Sequence, residues 1–482
     1  MSLTVPAVAA PHAVITELTL EVPPGQVIRY NLPALCSALQ VDDPTRIAVE
    51  TDGSRRALVT VYPSNPLADM PPPTDEDMLM DRHGRIVVGR YHNGRPARRQ
   101  MFDPYTGSAQ RSLVFGTTGA GKSRTVQYLL ACEKRNGVVS WFADLKGGQS
   151  APEAAGHVDW HATSQEEAIL MLRVAGAVAE ARQRRYHALG RNSFMLGDPD
   201  PLIVVRIDEA NRLLEKGAPY REEGTRLVKE LGRTGRSVGV GVELDAQASH
   251  LEELGGSDTL RAMLKEGEVT LLRWSSSMMR QLVADGLLPA GEQLMPIPKS
   301  LKPRVLRSQF APAEEDDDDA PGTQGTAYLL SSPHPTSMMR HFRIGSIAPT
   351  PGLDPEILAL YGPGDPARLE PESHDAATQI YAVRGTPAME TMIEIFKAEQ
   401  AEKEAKAAAK KPGGAGAKRL PDRIRAVLAD ADDPMDAESV HAAVTADGGP
   451  AVRIGSIKNA LGALVDDGDA VRPGRGLYAL NH

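Results

Sequence analysis

Two short stretches carry residue types at spacings that suit phosphate chemistry. Residues 116–123 read Gly116-Thr117-Thr118-Gly119-Ala120-Gly121-Lys122-Ser123, the complete pattern GxxxxGK[ST]. In such a loop the glycines let the backbone curl so that successive N–H groups point at one phosphate, and the helix that follows adds a favourable dipole for the anion. The pattern assigns Lys122 to the β- and γ-phosphates and Ser123 to Mg²⁺, with Arg124 directly behind them. Further along, Leu202-Ile203-Val204-Val205-Arg206-Ile207-Asp208-Glu209 is a mostly apolar run ending in two carboxylates. Asp208 in that position would hold the Mg²⁺, and Glu209 would orient or deprotonate an attacking water. The plainer alternative is a buried strand ending in a helix-capping aspartate. A second carboxylate argues for hydrolysis over simple binding.

Three further groups belong with these. An apolar run over 238–247 ends in Gln247, a polar tip suited to a γ-phosphate or a lytic water, or simply to capping a sheet. Trp141-Phe142-Ala143-Asp144-Leu145-Lys146-Gly147-Gly148 is another run that ends in charge and turns on glycine, which places Asp144 and Lys146 on the same edge. Arg233 and Arg236, then Arg261 and Arg273, are candidates for an arginine delivered in trans to a neighbouring subunit's γ-phosphate. Surface or ion-pair roles stand beside that reading for each of them.

These residues need a scaffold that presents strand ends side by side. Apolar runs at 111–115, 138–144, 202–208, 238–244 and 268–274 alternate with helical patterns at about 122–135, 165–189, 223–234 and 256–265. Strand–helix alternation with β-branched runs predicts an α/β domain around a largely parallel sheet, whose strand ends carry the site. That domain spans 84–346. Before it, residues 1–83 read as a small β-rich module, with a hairpin turning at Thr51-Asp52-Gly53-Ser54 and a linker at Pro71-Pro72-Pro73. Residues 347–418 read as a linker, in part helical or disordered, with a helix-prone run from Glu394 to Lys411. Residues 419–482 show three short helical patterns and a hairpin over Val471–Leu480, the element order of a winged helix. The run Glu314-Glu315-Asp316-Asp317-Asp318-Asp319 reads as a solvated, disordered loop, with a DNA-mimicking segment as the sharper alternative.

Composition narrows the partners. The 482 residues carry a net charge of -9, so the whole chain is not a general polyanion binder, and any contact with nucleic acid must be local. The two cysteines, Cys36 and Cys132, form neither a zinc pattern nor a disulfide framework, which fits a reducing compartment. No leader is visible, and no stretch approaches the roughly 20 apolar residues that span a bilayer. The expectation is a cytoplasmic protein that reaches a membrane only through a partner.

Residues 84–346 resemble the FtsK/SpoIIIE (HerA-type) DNA translocase family, segment by segment and in order. The series runs through Val87-Val88-Gly89-Arg90 and Asn93-Gly94, the loop 116–123, Asp144-Leu145-Lys146-Gly147, and Arg184-Arg185-Tyr186. It continues with Asp208-Glu209, Gly235-Arg236-Ser237-Val238-Gly239-Val240 and Asp245-Ala246-Gln247. Leu145 replaces the family's proline, Asp245-Ala246 stands where the family has Ala-Thr, and Ala248-Ser249 replaces its Arg-Pro, which marks a divergent branch. The chain looks closer to soluble FtsK-like proteins of actinobacterial plasmids, integrative elements or phages than to a membrane-anchored septal translocase. The resemblance implies a RecA-like motor, a homo-hexameric ring around double-stranded DNA, and ATP hydrolysis with Mg²⁺ at subunit interfaces. It extends to a terminal winged helix. There Val452–Leu464 would be the recognition helix with Arg453, Ser456, Lys458 and Asn459 on one face, and Arg472 and Arg475 would lie on the wing. A protein-docking role for that segment, a secretion or coupling ATPase moving protein or single-stranded DNA, and a nucleotide-gated DNA-binding regulator are the alternatives.

Overall fold

The computed structural model describes residues 2–4, 15–41, 43–52, 55–247, 254–273, 294, 296–297, 322–410, 420–431, 433–446, 452–474 and 476–481. The acidic run 314–319, Ala248-Ser249 and Arg475 lie outside the described residues. The chain divides into two compact units, Met1–Ile395 and Phe396–His482.

The first unit opens with a four-stranded antiparallel sheet in the order β1-β2-β4-β3, made of Ser2–Thr4 (β1), Thr16–Glu21 (β2), Ile47–Asp52 (β3) and Arg56–Val61 (β4). The helix Leu32–Leu39 (α1) lies between β2 and β3 in sequence. Alternation along β2 and β4 turns Leu18, Leu20, Ala57 and Val59 to one face, where they pack with Ile28, Val41 and Ile47.

A ten-stranded sheet follows. Chain order gives the short helix Asp75–Met78 (α2), strands Arg85–Tyr91 (β5) and Pro96–Gln100 (β6), a small ladder of Phe102–Asp103 (β7) and Ser108–Ala109 (β8), then Arg111–Gly116 (β9), Lys122–Arg135 (α3), Val139–Asp144 (β10), Trp160–Ala162 (β11) and Gln165–Ala188 (α4). Next come Ile203–Asp208 (β12), Asn211–Leu214 (α5), Arg221–Thr234 (α6), Val240–Ala246 (β13), Asp258–Lys265 (α7), Glu268–Leu272 (β14), Thr326–Leu329 (β15) and Met339–His341 (β16). Pro355–Tyr361 (α8) and His374–Ala382 (α9) close the unit, and Ala388–Lys410 (α10) leads out of it. The five strands and four helices expected from the apolar periodicity are all present, with ends shifted by a few residues.

Strand order is β11-β10-β12-β13-β9-β14-β15-β16-β5-β6. The first six strands are mutually parallel and the remaining pairs antiparallel. The central strands β9, β10 and β13 are buried at every position, as expected for a parallel sheet with helices on both faces. Phe142, Val114 and Leu272 pack with Leu129, Leu130 and Val126 of α3 to form the core beneath the loop 116–123. Because the strands are parallel, Gly116, Asp144, Asp208 and Ala246 all arrive at one edge of the sheet.

The second unit contains Leu420–Ala429 (α11), Met435–Asp436 (β17), Ala437–Ala446 (α12), Ile454–Asp466 (α13), Ala470–Gly474 (β18) and Leu477–Leu480 (β19). Its sheet has the order β17-β19-β18, and Ile424, Leu428, Val440, Ile457 and Leu461 form its core. No helix among the described residues is long and apolar enough to cross a membrane.

Candidate functional site: a phosphate loop facing paired carboxylates

The loop between β9 and α3 takes its shape from glycine. Gly119 and Gly121 adopt left-handed backbone with φ of 72° and 103°, which side chains with a Cβ rarely adopt. A Cβ on Gly121 would stand 2.8 Å from the backbone nitrogen of Gly325, whose N–H donates to the Ala120 carbonyl at 2.8 Å. No side chain caps α3 at Gly121, so the N-terminal end of that helix is free to receive an anion. Arg273, just after β14, holds the loop from the side. Its guanidinium donates to the Thr118 carbonyl at 2.7 Å, and its own carbonyl accepts from the Thr117 hydroxyl at 3.3 Å. Arg273 does this from a φ of 35°, a strained backbone for a residue with a Cβ.

The carboxylates from β12 meet Lys122 directly. Its Nζ donates to Asp208 Oδ1 at 2.8 Å and to Glu209 Oε1 at 2.9 Å. Lys146 Nζ lies 2.7 Å from the same Glu209 oxygen, and Gln247 Nε2 donates to Glu209 Oε2 at 3.1 Å. Glu209 is also held in left-handed backbone, φ 54°, which turns its side chain back across the strand end. Burial pushes the Glu209 carboxyl up, but hydrogen bonds and charge from Lys146 and Lys122 outweigh it and hold the group at about 2. Burial likewise works against the Lys122 ammonium, and the charges of Asp208, Asp245 and Glu209 raise it overall. The second Asp208 oxygen, Oδ2, is buried and has no hydrogen-bond partner among the described residues.

A cavity of about 310 Å³ opens over this cluster, lined by the loop residues 116–119 and 121–124 with Lys146, Glu209, Gln247 and Gln324. A second cavity of about 390 Å³ shares Ser123, Arg124 and Lys146 with it and extends along Gln127, Gln149 and Asp354. Arg124 pairs there with Asp354 at 3.2 Å. The donors and acceptors fit Mg-ATP: an uncapped helix start, a buried ammonium, the Ser123 hydroxyl in the cavity lining and an unspent Asp208 oxygen for a divalent cation.

Of the residues singled out in the sequence, the fold thus brings together 116–124, Lys146, Asp208, Glu209 and Gln247. Asp144 sits on the same edge but serves the turn after β10: its carboxylate accepts from the backbone N–H groups of Lys146 and Ser150. Arg233 and Arg236 precede β13 at its far end, roughly 20 Å of strand from the phosphate loop, so neither reaches the site of its own chain. Arg261 lies 3.5 Å from Asp258 within α7. Arg185 pairs with Asp200 and Glu370, which ties α4 to the segment before α9. In the second unit, Lys458 of α13 and Arg472 of β18 are exposed, and Arg453 is the N-cap of α13.

Two neighbours of the site were not singled out for it by sequence. Asp245, the residue after the last β12–β13 pair Ile207↔Leu244, is fully buried beside the cluster, with neither oxygen hydrogen-bonded among the described residues. Gly325 buttresses the loop from a distant segment. The signal for Asp245 was a charged residue where an apolar strand should continue.

No protein-family model matches the chain, and no curated protein matches it. Among solved structures the chain is similar to the pCW3 conjugation coupling protein TcpA, monomer form with ATPγS, at 17% identity and a TM-score of 0.43, over 71% of this chain and 89% of that one. It is similar to the cytoplasmic domain of the Thermomonospora curvata type VII secretion ATPase EccC at 20% identity and a TM-score of 0.41, over 71% of this chain. It is also similar to EssC (ATPases 2 and 3) from Geobacillus thermodenitrificans at 14% identity and a TM-score of 0.40, over 66% of this chain. The match spans only 35% of the EccC chain and 53% of the EssC chain.

Proposed function

We propose that this chain is an ATPase of the FtsK/SpoIIIE (HerA) type that couples hydrolysis to movement of double-stranded DNA. The observation that carries the reading is the convergence of Lys122, Asp208, Glu209 and Gln247 under a complete phosphate loop at one edge of a parallel sheet.

Each residue has a part in that reading. The backbone of 116–121 and the N-terminus of α3 bind the phosphates, and Lys122 adds the positive charge that a transferring phosphoryl group requires. Ser123 and Asp208 would hold Mg²⁺, which neutralises charge on the phosphate oxygens when bound. Glu209 is the base. Gln247 and Lys146 orient its carboxylate, and while both lysines hold it the group is too acidic to take a proton. Drawing Lys122 away onto a phosphate frees one of these contacts and raises the basicity of Glu209 where a lytic water would stand. Arg233 and Arg236, out of reach of their own site, are the proposed arginines delivered in trans to a neighbour's γ-phosphate, with a homo-hexamer as the proposed form. The second unit has the helix and strand order of a winged helix, and Arg453, Lys458, Arg472 and Arg475 are its proposed DNA contacts. A cytoplasmic location fits this activity.

Steady-state ATP hydrolysis, with and without linear duplex DNA and beside Lys122→Ala, tests the reading. Strong stimulation by duplex that is absent in the variant supports a DNA motor. Turnover indifferent to DNA would instead favour a secretion or coupling ATPase, and nucleotide binding without turnover would favour a nucleotide-gated regulator.

A further inference from the structure

The chain carries a net charge of -9, yet residues 82–100 hold six arginines and no acidic residue. These residues include the antiparallel hairpin β5–β6, paired from Arg85↔Gln100 to Arg90↔Pro96. Two of the arginines are spent on the fold. Arg90 binds Asp77 at 3.1 Å, and Arg99 is buried against Glu243. The others turn outward. Arg82, Arg95 and Arg98 are exposed, and Arg85 is half-buried with Asp81 at 3.0 Å. Asp81 also stands 3.8 Å from Arg98, Glu268 lines the adjoining cavity, and the charge of Glu50 reaches Arg95. Between the hairpin and the segment after β15 lies a cavity of about 390 Å³, to which Arg85, Arg95, Arg98 and His334 contribute together with the carboxylate of Glu268.

We propose that this outer face of the β5–β6 hairpin is a contact surface for the phosphate backbone of duplex DNA. The inference rests on the motor reading above and assigns it a track-binding surface. Duplex DNA presents about one negative charge per 1.7 Å of helix axis, and a protein of like overall charge can engage it only where cations are locally concentrated. The hairpin supplies that concentration on a rigid strand pair. Adjacent strand residues point to opposite faces. Arg98 therefore faces solvent while Arg99 runs inward to Glu243, which pairs in turn with Arg206 of β12, two residues before Asp208. A phosphate held on the outer face is thus fixed relative to the catalytic edge. Arginine and the neighbouring His334 side chain are hydrogen-bond donors of the kinds that position a phosphate backbone without reading sequence, while Gln100 and Ser332 already donate to backbone carbonyls.

The test is binding of a short fluorescent duplex to the full chain over a series of salt concentrations. The wild type is compared with the double variant Arg95→Ala/Arg98→Ala and with Arg184→Ala, an exposed arginine of α4 outside the hairpin. Basal ATP hydrolysis without DNA and the melting temperature report that each variant is folded. The expected result is affinity weakened on the order of tenfold in the double variant, with the slope of log K against log salt reduced by about one to two. Arg184→Ala should change neither, and Arg95→Lys/Arg98→Lys should keep most of the affinity. Unchanged affinity and slope in the double variant, or an equal loss in Arg184→Ala, would overturn this assignment while leaving the motor reading in place. A wild-type chain that binds no duplex would overturn both.

Discussion

Arg206 and Glu243 face each other in register on the adjacent parallel strands β12 and β13, ion-paired and shielded from solvent. Arg206 also binds Glu133 of α3, and Glu243 also binds Arg99 of β6. A chain of four buried charges therefore runs through the interior, one layer below Asp208 and Asp245. Such a chain is tolerated because each charge has a partner. Removing one member leaves its neighbour charged and dry, at a cost of about 3–5 kcal/mol.

Glu243→Ala is accordingly expected to be among the most destabilising single changes in the first unit. It strips Arg99 of its carboxylate and leaves Arg206 with Glu133 alone. At roughly 2–4 °C per kcal/mol for a domain of this class, the melting temperature should fall by on the order of ten degrees. A melt within a degree or two of wild type would show that the network contributes little.

The sequence announces the nucleotide loop and the paired carboxylates because both are local patterns. GxxxxGK[ST] needs glycine at fixed offsets, and an apolar run ending in Asp208-Glu209 marks where a strand leaves the core. Strand and helix placement follows from the periodicity of long, strongly apolar segments. The long-range partners were not legible. Nothing near Arg206 says that its anion is Glu243, and nothing near the loop says that Gly325 and Arg273 will buttress it. The four antiparallel strands from β15 to β6 join residues far apart in sequence, and only tertiary packing sets their order.

Lys122→Ala removes the ammonium that faces Asp208 and Glu209 and lies in the field of Asp245. We expect nucleotide affinity lower by a factor of at least ~100, about 2.7 kcal/mol, and no measurable turnover. The same variant should melt lower at neutral pH, because buried carboxylates lose their shared cation. Nucleotide binding by calorimetry or a fluorescent analogue checks the first point. Wild-type affinity in the variant would remove Lys122 from the site.

Glu209→Gln keeps the shape and the contact to Gln247 but cannot accept a proton. Turnover should fall by about 10²–10⁴-fold while nucleotide affinity changes little. A pH signature accompanies this. The Glu209 carboxyl is held at about 2, below its ordinary value of 4.5. Its stabilising contribution is therefore full above pH ~4.5 and is lost as pH falls toward ~2. The stability difference between wild type and Glu209→Gln should be constant at neutral pH and shrink across that acid window. Turnover that survives the substitution would assign the base elsewhere.

Asp245 makes the opposite prediction. It is fully buried, neither oxygen has a hydrogen-bond partner among the described residues, and Asp208 lies close enough to repel it. Burial is the main cause that raises its carboxyl, Asp208 adds to it, and Arg206, Lys122 and Arg99 pull it down, which leaves it at about 7. A raised acid binds more protons in the folded than in the unfolded chain. Stability attributable to Asp245 therefore falls as pH rises from ~4 to ~7 and stays low above that. Asp245→Asn, neutral and nearly isosteric, abolishes this loss. It should raise the melting temperature by a few degrees at pH 8 and by less at pH 5, where only part of the loss has accrued because the unfolded carboxyl is ionised and the native one is not. Melting curves of the two proteins across pH 5–8 read this directly. A gap that does not widen with pH would mean that Asp245 is ionised throughout, held by Lys122 and Arg206 as a working part of the cluster.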